Sequence, residues 1–161
     1  MKQEQASIKA PELRITQWID ESGKELKNPV KLADYRGKFK VIYAFQHWCP
    51  GCHKVGLPSL QKMVNALAGN ENVKFLAIQT VFEGASKNTF DKIIETQKEY
   101  GLNIPFGHDD GSQNNESRSS TMTDYQTGGT PWFIFIDESD NIVFADFHVN
   151  TEAAINFLKT R

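Results

Sequence analysis

The stretch FKVIYAFQHWCPGC, residues 39–52, decides how this chain folds. Its first seven residues, Phe39–Phe45, are almost continuously apolar and rich in aromatic and β-branched side chains, which predicts a strand buried on both faces of a sheet. The only two cysteines of the chain, Cys49 and Cys52, follow directly. Because a helical pattern begins near Pro50, we expect Cys49 at the junction between a buried strand and a helix.

This predicted position has a chemical consequence for Cys49. The unpaired N–H groups and the partial positive charge at a helix N-terminus stabilise an anion, so a thiol there has a lowered pKa. The thiolate is the reactive nucleophile of cysteine chemistry. Cys52 follows one helical turn later on the same side, close enough to form a disulfide with Cys49. Pro50 suits the first turn, where its missing N–H needs no partner. The pattern favours a redox couple.

Two structural interpretations of the cysteine pair fit its surroundings less well. Cysteines that only pack in a core are rarely placed at a helix N-terminus beside Trp, Pro and Gly. A zinc site usually needs four ligands, and the chain has no second CxxC motif. The histidines that would have to complete such a site are His47, His53, His108 and His148.

A haem-binding interpretation has more specific support than these two, because residues 49–53 match the C-x-x-C-H attachment pattern. His53 would then be one axial ligand, and Met63 or Met122 the other. However, the motif follows a buried strand, whereas haem attachment belongs in a small and mostly helical setting. We therefore expect no haem, no metal and no other cofactor.

Composition limits the class of protein. The chain has 161 residues, of which 39% are hydrophobic and 24% charged, with a net charge of −2. These values predict one soluble domain over residues 1–161, with residues 1–10 as a loose lead-in. The near-zero charge and the lack of a basic cluster argue against nucleic-acid binding. No run of about 18 apolar residues predicts a membrane span, and two cysteines cannot form a multi-disulfide scaffold.

The first residues, MKQEQASIKAPEL, contain no apolar stretch of the kind found in a secretory leader. We therefore expect a cytoplasmic protein. The alternative is a periplasmic or exported protein whose leader has been removed.

The remaining periodicities predict an α/β chain with a central mixed sheet and helices on both faces. The expected elements are strand 15–19 with a turn at 20–23, strand 39–45, helix 57–67, strand 73–78, helix 90–100, a hairpin of strands 132–136 and 142–149, and a helix from 151. The polar stretch 107–120 is predicted to be an exposed loop. The cluster His108-Asp109-Asp110 within it is therefore expected to be a solvated turn rather than a metal site.

Three segments of the chain carry a family resemblance. They are LADYRGKFKVIYAFQHWCPGC, IPFGHDDG and GGTPWFIFIDESDNI, in that order between about residues 10 and 161. The motif W-C-x-x-C with a downstream G-T-P before an apolar strand is specific. The chain resembles the thioredoxin-like superfamily, and within it the TlpA/ResA-type thiol-disulfide oxidoreductases and related redoxins. The resemblance implies a thioredoxin-like fold, here with an N-terminal β-hairpin extension.

The resemblance also implies a role for five residues. Cys49 would be the attacking cysteine and Cys52 the resolving one, forming a redox-active disulfide. Thr130 and Pro131 would form a cis-proline loop that presents the Thr130 backbone to an extended peptide or thiol substrate. Trp48 would contribute to the same substrate-binding surface.

Four departures from the family pattern limit what the resemblance implies. The residues between the cysteines are Pro-Gly, the reverse of the order in thioredoxin. Val55 stands where a glutamate is common, Tyr43 replaces a buried acid, and Pro58 arrives one residue late. The usual carboxylate for proton transfer near the second cysteine is thus missing. The candidates to replace it are His53, His47, Glu83 and water.

We expect a thiol-disulfide oxidoreductase that reduces protein or small-molecule disulfides and is re-reduced by an electron-donating thiol system. One alternative is a peroxiredoxin-like thiol peroxidase, in which Arg118 would polarise the peroxide. Its P-x-x-x-T-x-x-C frame would need Pro and Thr where this chain has Ile42 and Gln46. The other alternative is a non-enzymatic thioredoxin-fold module that senses redox state or binds a partner.

Overall fold

A seven-stranded mixed sheet forms the centre of the computed structural model, which describes residues 8–161. Its strands are β1 (Ile8–Lys9), β2 (Gln17–Ile19), β3 (Phe39–Phe45), β4 (Val73–Thr80), β5 (Phe106–Asp109), β6 (Trp132–Ile136) and β7 (Asn141–Asp146). They lie in the order β1-β7-β6-β3-β4-β5-β2. Strands β3, β4 and β5 are parallel, and every other pairing is antiparallel. The mixed sheet is confirmed, with β3 at its centre.

Helices cover both faces of the sheet, as predicted. They are α1 (Leu57–Ala66), α2 (Phe90–Glu99), α3 (Ser120–Tyr125) and α4 (Thr151–Leu158). Every residue of β3 is buried, and its side chains alternate between two cores. One core contains residues of α1, α2 and α4, and the other contains α3 and the N-terminal segment. No helix of residues 8–161 is long and apolar enough to cross a membrane.

The N-terminal hairpin is present in a short form. After β2 the chain turns, and an antiparallel bridge joins Ile19 to Glu25. Strand β2 pairs with β5, where the fully buried Trp18 lies against Gly107. A Cβ at Gly107 would lie 3.0 Å from the Trp18 ring, so this contact requires glycine.

The expected loose lead-in over residues 1–10 is wrong for Ile8–Lys9, because these residues pair with β7 at the opposite edge of the sheet. The rest of the predicted lead-in, residues 1–7, lies outside the described residues. The second strand of the C-terminal hairpin also differs from its predicted range, since β7 ends at Asp146.

The prediction of an exposed loop over residues 107–120 is wrong at both ends. Strand β5 occupies the start, and the chain is buried again from Ser119 into α3. His108 and Asp109 are buried, so the expected solvated turn is wrong for both. A polar strand can be buried here because the Asp109 carboxylate accepts hydrogen bonds from the start of α3.

Candidate active site

The two cysteines lie where the sequence places them, with Cys49 between the end of β3 and a helix that runs through residues 50–66, and Cys52 in the first turn of that helix. They form a disulfide, with Cα atoms 5.3 Å apart. Cys49 is partly exposed, whereas Cys52 is completely buried. The Cys52 N–H donates to the Cys49 sulfur at 3.2 Å, which is the helix N-terminal donation expected for a stabilised thiolate. Cys49 is therefore the more accessible of the two cysteines.

The late Pro58 is explained by a π-helical turn at Cys52–Gly56. In this turn the Leu57 N–H bonds to the Cys52 carbonyl five residues earlier, instead of the usual four. A π turn takes up one more residue than an α turn. The helix thus keeps both cysteines at its N-terminus although Pro58 is shifted by one position, and Val55 lies exposed on the turn.

Tyr43 stands where the family has a buried acid, but it cannot take over the proton transfer of that acid. Its hydroxyl donates to the Cys52 carbonyl at 3.3 Å. Burial raises the pKa of Tyr43 well above its usual value, so the phenol stays neutral and is not a base at physiological pH. A Cβ at Gly56 would overlap the Tyr43 hydroxyl. Tyr43 therefore supports the helix behind Cys52, and Gly56 makes room for it.

The segment Thr130–Pro131 faces the disulfide, and its peptide bond is cis, as the resemblance implies. The Thr130 hydroxyl donates to the Cys49 sulfur at 3.5 Å. The Pro131 ring lies against the helix, within 3.5 Å of the position that a Cβ of Gly51 would take. Trp48, next to Cys49, is half exposed. The five site residues predicted from the sequence thus lie together, two of them as the disulfide and the other three beside it, and their roles remain predictions.

Thr130→Val should reduce the reactivity of Cys49. It removes the only side-chain hydroxyl that bonds to this sulfur within residues 8–161 and keeps the branched shape. Because this long hydrogen bond should stabilise the thiolate by about 0.5–1 kcal/mol, alkylation of the reduced protein by iodoacetamide at neutral pH should slow roughly two- to fivefold. Thr130→Ser, which retains the hydroxyl, is the control. Equal rates in wild type and Thr130→Val would contradict the prediction.

His53 is held by both ring nitrogens. Its Nε2 lies 2.5 Å from the His47 carbonyl, which can only accept, so Nε2 carries the proton. Its Nδ1 then accepts from the Tyr100 hydroxyl at 2.7 Å. Both ring nitrogens of His53 are therefore engaged in hydrogen bonds within the protein.

The three side chains proposed for proton handling are not bonded to the sulfurs. Within residues 8–161, the polar partners of the Cys49 sulfur are the Thr130 hydroxyl and the Cys52 amide. The ring of His47 bonds instead to the Thr96 hydroxyl at 3.0 Å, and Glu83 is exposed. The burial of His47 lowers its pKa, which favours the neutral ring.

Three carboxamide side chains hold the loop before Cys49, and the sequence reasoning missed them. Gln79 accepts a hydrogen bond from the His47 N–H at 2.9 Å, and Asn88 accepts one from the Trp48 N–H at 2.8 Å. Gln46 accepts from the backbone after β4. Gln46 and Gln79 lie at the ends of apolar strands, and a buried amide at such a point is the signal that could have identified them.

His108 belongs to the same polar layer. Its Nδ1 accepts from the Gln79 side-chain nitrogen at 3.0 Å, because an amide nitrogen can only donate. The other hydrogen of that nitrogen goes to the Thr89 carbonyl. The proton of the neutral ring is therefore on Nε2. Burial lowers the pKa of His108, so folding favours the neutral ring.

The free energy of unfolding should consequently fall on acidification. The unfolded chain protonates His108 near the ordinary pKa of about 6.5, whereas the folded chain does so only at lower pH. Between these two values the unfolded state binds more protons, so stability decreases as pH falls. His108→Asn can still accept from Gln79 and does not titrate. Urea unfolding between about pH 7.5 and 5.5 should show a smaller pH dependence for this variant than for wild type.

The control for this measurement is His148→Asn, which alters an exposed histidine. It should keep the pH dependence of the wild type. Identical pH dependence in His108→Asn and wild type would show that His108 does not contribute.

Comparisons with known proteins agree with the geometry of the site. The redoxin family model matches residues 5–157. The chain belongs to the redoxin family. This redoxin is similar to the crystal structure of a thioredoxin-like superfamily protein, with 34% sequence identity, 96% of each chain covered and a TM-score of 0.81. No curated protein sequence matches the chain.

Two further solved structures resemble this redoxin. One is a thiol-disulfide isomerase from Corynebacterium glutamicum, with 25% identity, a TM-score of 0.75, and coverage of 94% of this chain and 95% of the other. The second is a secreted Mycobacterium tuberculosis disulfide oxidoreductase, with 17% identity, a TM-score of 0.61, and coverage of 90% of this chain and 95% of the other. This second likeness shows the fold alone. The redoxin family match and the Cys49–Cys52 disulfide together support oxidoreductase activity in general.

Proposed function

We propose that this redoxin reduces disulfides of proteins or small molecules through the Cys49–Cys52 pair. The observation that carries the proposal is the partly exposed Cys49, bonded to a buried Cys52 at the N-terminus of a helix. Only Cys49 is open to a substrate sulfur. The buried Cys52 is positioned to attack the sulfur of Cys49 and no other.

The reaction starts from the dithiol form. The Cys49 thiolate attacks one sulfur of the substrate disulfide, which releases the other sulfur as a thiolate and leaves a mixed disulfide. Cys52 gives up its proton and attacks the Cys49 sulfur, which releases the second substrate thiol. Two electrons pass to the substrate, and the Cys49–Cys52 disulfide forms. A thiol electron donor of the cell then reduces this disulfide again.

Neighbouring residues support this sequence of steps. The Cys52 amide and the Thr130 hydroxyl both donate toward the Cys49 sulfur, so they would stabilise its thiolate. The cis segment at Thr130 and the half-exposed Trp48 ring border the place where a substrate would lie. The cytoplasmic location, which would favour the reductive direction, remains a prediction of the sequence.

The peroxidase alternative has less support. The positions of its Pro and Thr hold Ile42, which is buried in the sheet, and Gln46, whose carboxamide oxygen accepts from backbone N–H groups. Arg118 is exposed on the segment before α3. The third interpretation is a module that only senses redox state or binds a partner. It would have the same disulfide but would not turn over a substrate.

The test measures two activities of the reduced protein. Reduction of insulin by a regenerating dithiol should be accelerated by wild type and not by Cys49→Ser. Peroxide consumption should stay at the background rate in both. Peroxide turnover that depends on Cys49, without insulin reduction, would assign the peroxidase function instead. No turnover in either assay would favour the non-enzymatic module.

A further inference from the structure

A polar cleft lies beside the redox loop and has no part in the steps above. Its volume is about 370 Å³, and its lining includes Gln17, Asn88, Thr89, Phe90, His108 and Asp110. We refer to it as the β5–α2 cleft. Asn88 joins it to the active site, because its side chain accepts the Trp48 N–H at 2.8 Å. Trp48 is one peptide unit, about 3.8 Å between Cα atoms, from Cys49.

A hydrogen-bond donor and an acceptor face each other in this cleft. His108 is only 6% exposed, and its Nδ1 is occupied by Gln79, so its N–H is on Nε2. This Nε2 has no hydrogen-bond partner within residues 8–161, and Oδ2 of Asp110 lies 3.8 Å away, too far for a hydrogen bond. The other Asp110 oxygen is held by Ser112. One residue of an extended peptide matches the pair, because its own N–H and carbonyl point to the same side, as in an antiparallel ladder. The carbonyl accepts from Nε2, and the N–H donates to the carboxylate.

The N-terminus of α2 forms a further wall. Thr89 precedes this ten-residue helix, and its side chain makes no capping hydrogen bond. The Lys92 N–H bonds to the Thr89 carbonyl, whereas the N–H groups of Phe90 and Asp91 bond to no side chain within residues 8–161. A carboxylate of a bound ligand would be stabilised there.

From this arrangement we infer that the β5–α2 cleft binds the peptide portion of a low-molecular-weight peptidic thiol or its disulfide. The inference rests on the proposed reductase function and names a substrate class for it. A peptide of two or three residues spans about 7–10 Å when extended. Because Asn88 lines the cleft and also accepts from the Trp48 N–H, a ligand of that length in the cleft would lie beside the loop that carries Cys49.

The first test measures binding without chemistry. S-methylglutathione, which cannot exchange disulfides, is titrated into the oxidised protein by calorimetry. Wild type should bind it, and Asp110→Asn should weaken binding at least about tenfold, because a hydrogen bond to a charged group is lost. His108→Asn should weaken it about two- to tenfold. Glu71→Gln removes an exposed carboxylate just before the N-terminal end of β4, whereas the cleft lies at the C-terminal end of β5. This variant should bind as wild type does.

The second test compares KM values. Asp110→Asn should raise the KM for glutathione disulfide by a larger factor than the KM for insulin. If wild type reduces insulin but does not bind S-methylglutathione, or if Asp110→Asn binds it as well as Glu71→Gln does, the inference about the cleft is wrong and the reductase function stands. If wild type binds S-methylglutathione but reduces neither substrate, the proposed function is wrong instead.

Discussion

Cys52→Ser should trap its substrate as a stable mixed disulfide. In this variant Cys49 keeps its position at the helix N-terminus and can still attack. No second thiol remains in the chain to release the product, since Cys49 and Cys52 are the only cysteines. Turnover should fall at least about 100-fold, because resolution then depends on external thiols. Non-reducing electrophoresis and intact mass should show the chain covalently joined to its substrate.

Cys49→Ser is the matched control for this experiment. A serine hydroxyl does not replace the thiolate as nucleophile at neutral pH, and the buried Cys52 cannot be reached by a protein disulfide. Turnover should therefore be at background and no adduct should form. An adduct on Cys49→Ser, with none on Cys52→Ser, would reverse the two roles and contradict the assignment.

Asp109→Ala should cause a large loss of stability. The buried carboxylate accepts hydrogen bonds from three side-chain hydroxyls and three backbone N–H groups, contributed by Gly111, Ser119, Ser120 and Thr121. Alanine would leave these donors unpaired in a closed space between β5 and α3. Because each unsatisfied buried group costs about 1–3 kcal/mol and some will find water, we expect a loss of about 3–5 kcal/mol.

Guanidinium unfolding measures this loss as a lower midpoint at an unchanged slope. Asp110→Ala is the control, because the adjacent carboxylate is only partly buried and bonds to Ser112 alone among the donors of this loop. It should cost about 1 kcal/mol or less. Equal losses in the two variants would show that the network of Asp109 does not anchor α3.

Local sequence patterns were sufficient for much of the fold. The almost continuously apolar sequence of β3 predicts a buried strand, and the three- and four-residue spacing of apolar residues in α1 predicts its inner face. The cysteine motif could be located for the same reason, because its strand, loop and helix are contiguous. Thr130 and Pro131 were found only through the family resemblance, since Thr130 lies 78 positions after Cys52 in the sequence.

Other parts of the site could not be predicted in this way. The segment containing β5 looks like a loop because its residues are polar. It forms a strand because β4 and β2 pair with its two sides and α3 supplies donors to Asp109. The carboxamides of Gln79 and Asn88 were missed because their partners, the N–H groups of the redox loop, are 32 and 40 residues distant.

The scarcity of cysteine, the strand-to-helix junction and the spacing of Cys49 and Cys52 already predict a redox pair, because helix and strand periods and the helix N-terminal field act over a few residues. Which sulfur is exposed and which group bonds to it depends on contacts between distant segments. Tyr43 shows the difference most clearly. The sequence indicates a lost acid, whereas burial keeps the replacing phenol neutral and directs its hydroxyl to the Cys52 carbonyl. Partners of buried polar groups are set by tertiary packing, since desolvation forces each group to find one.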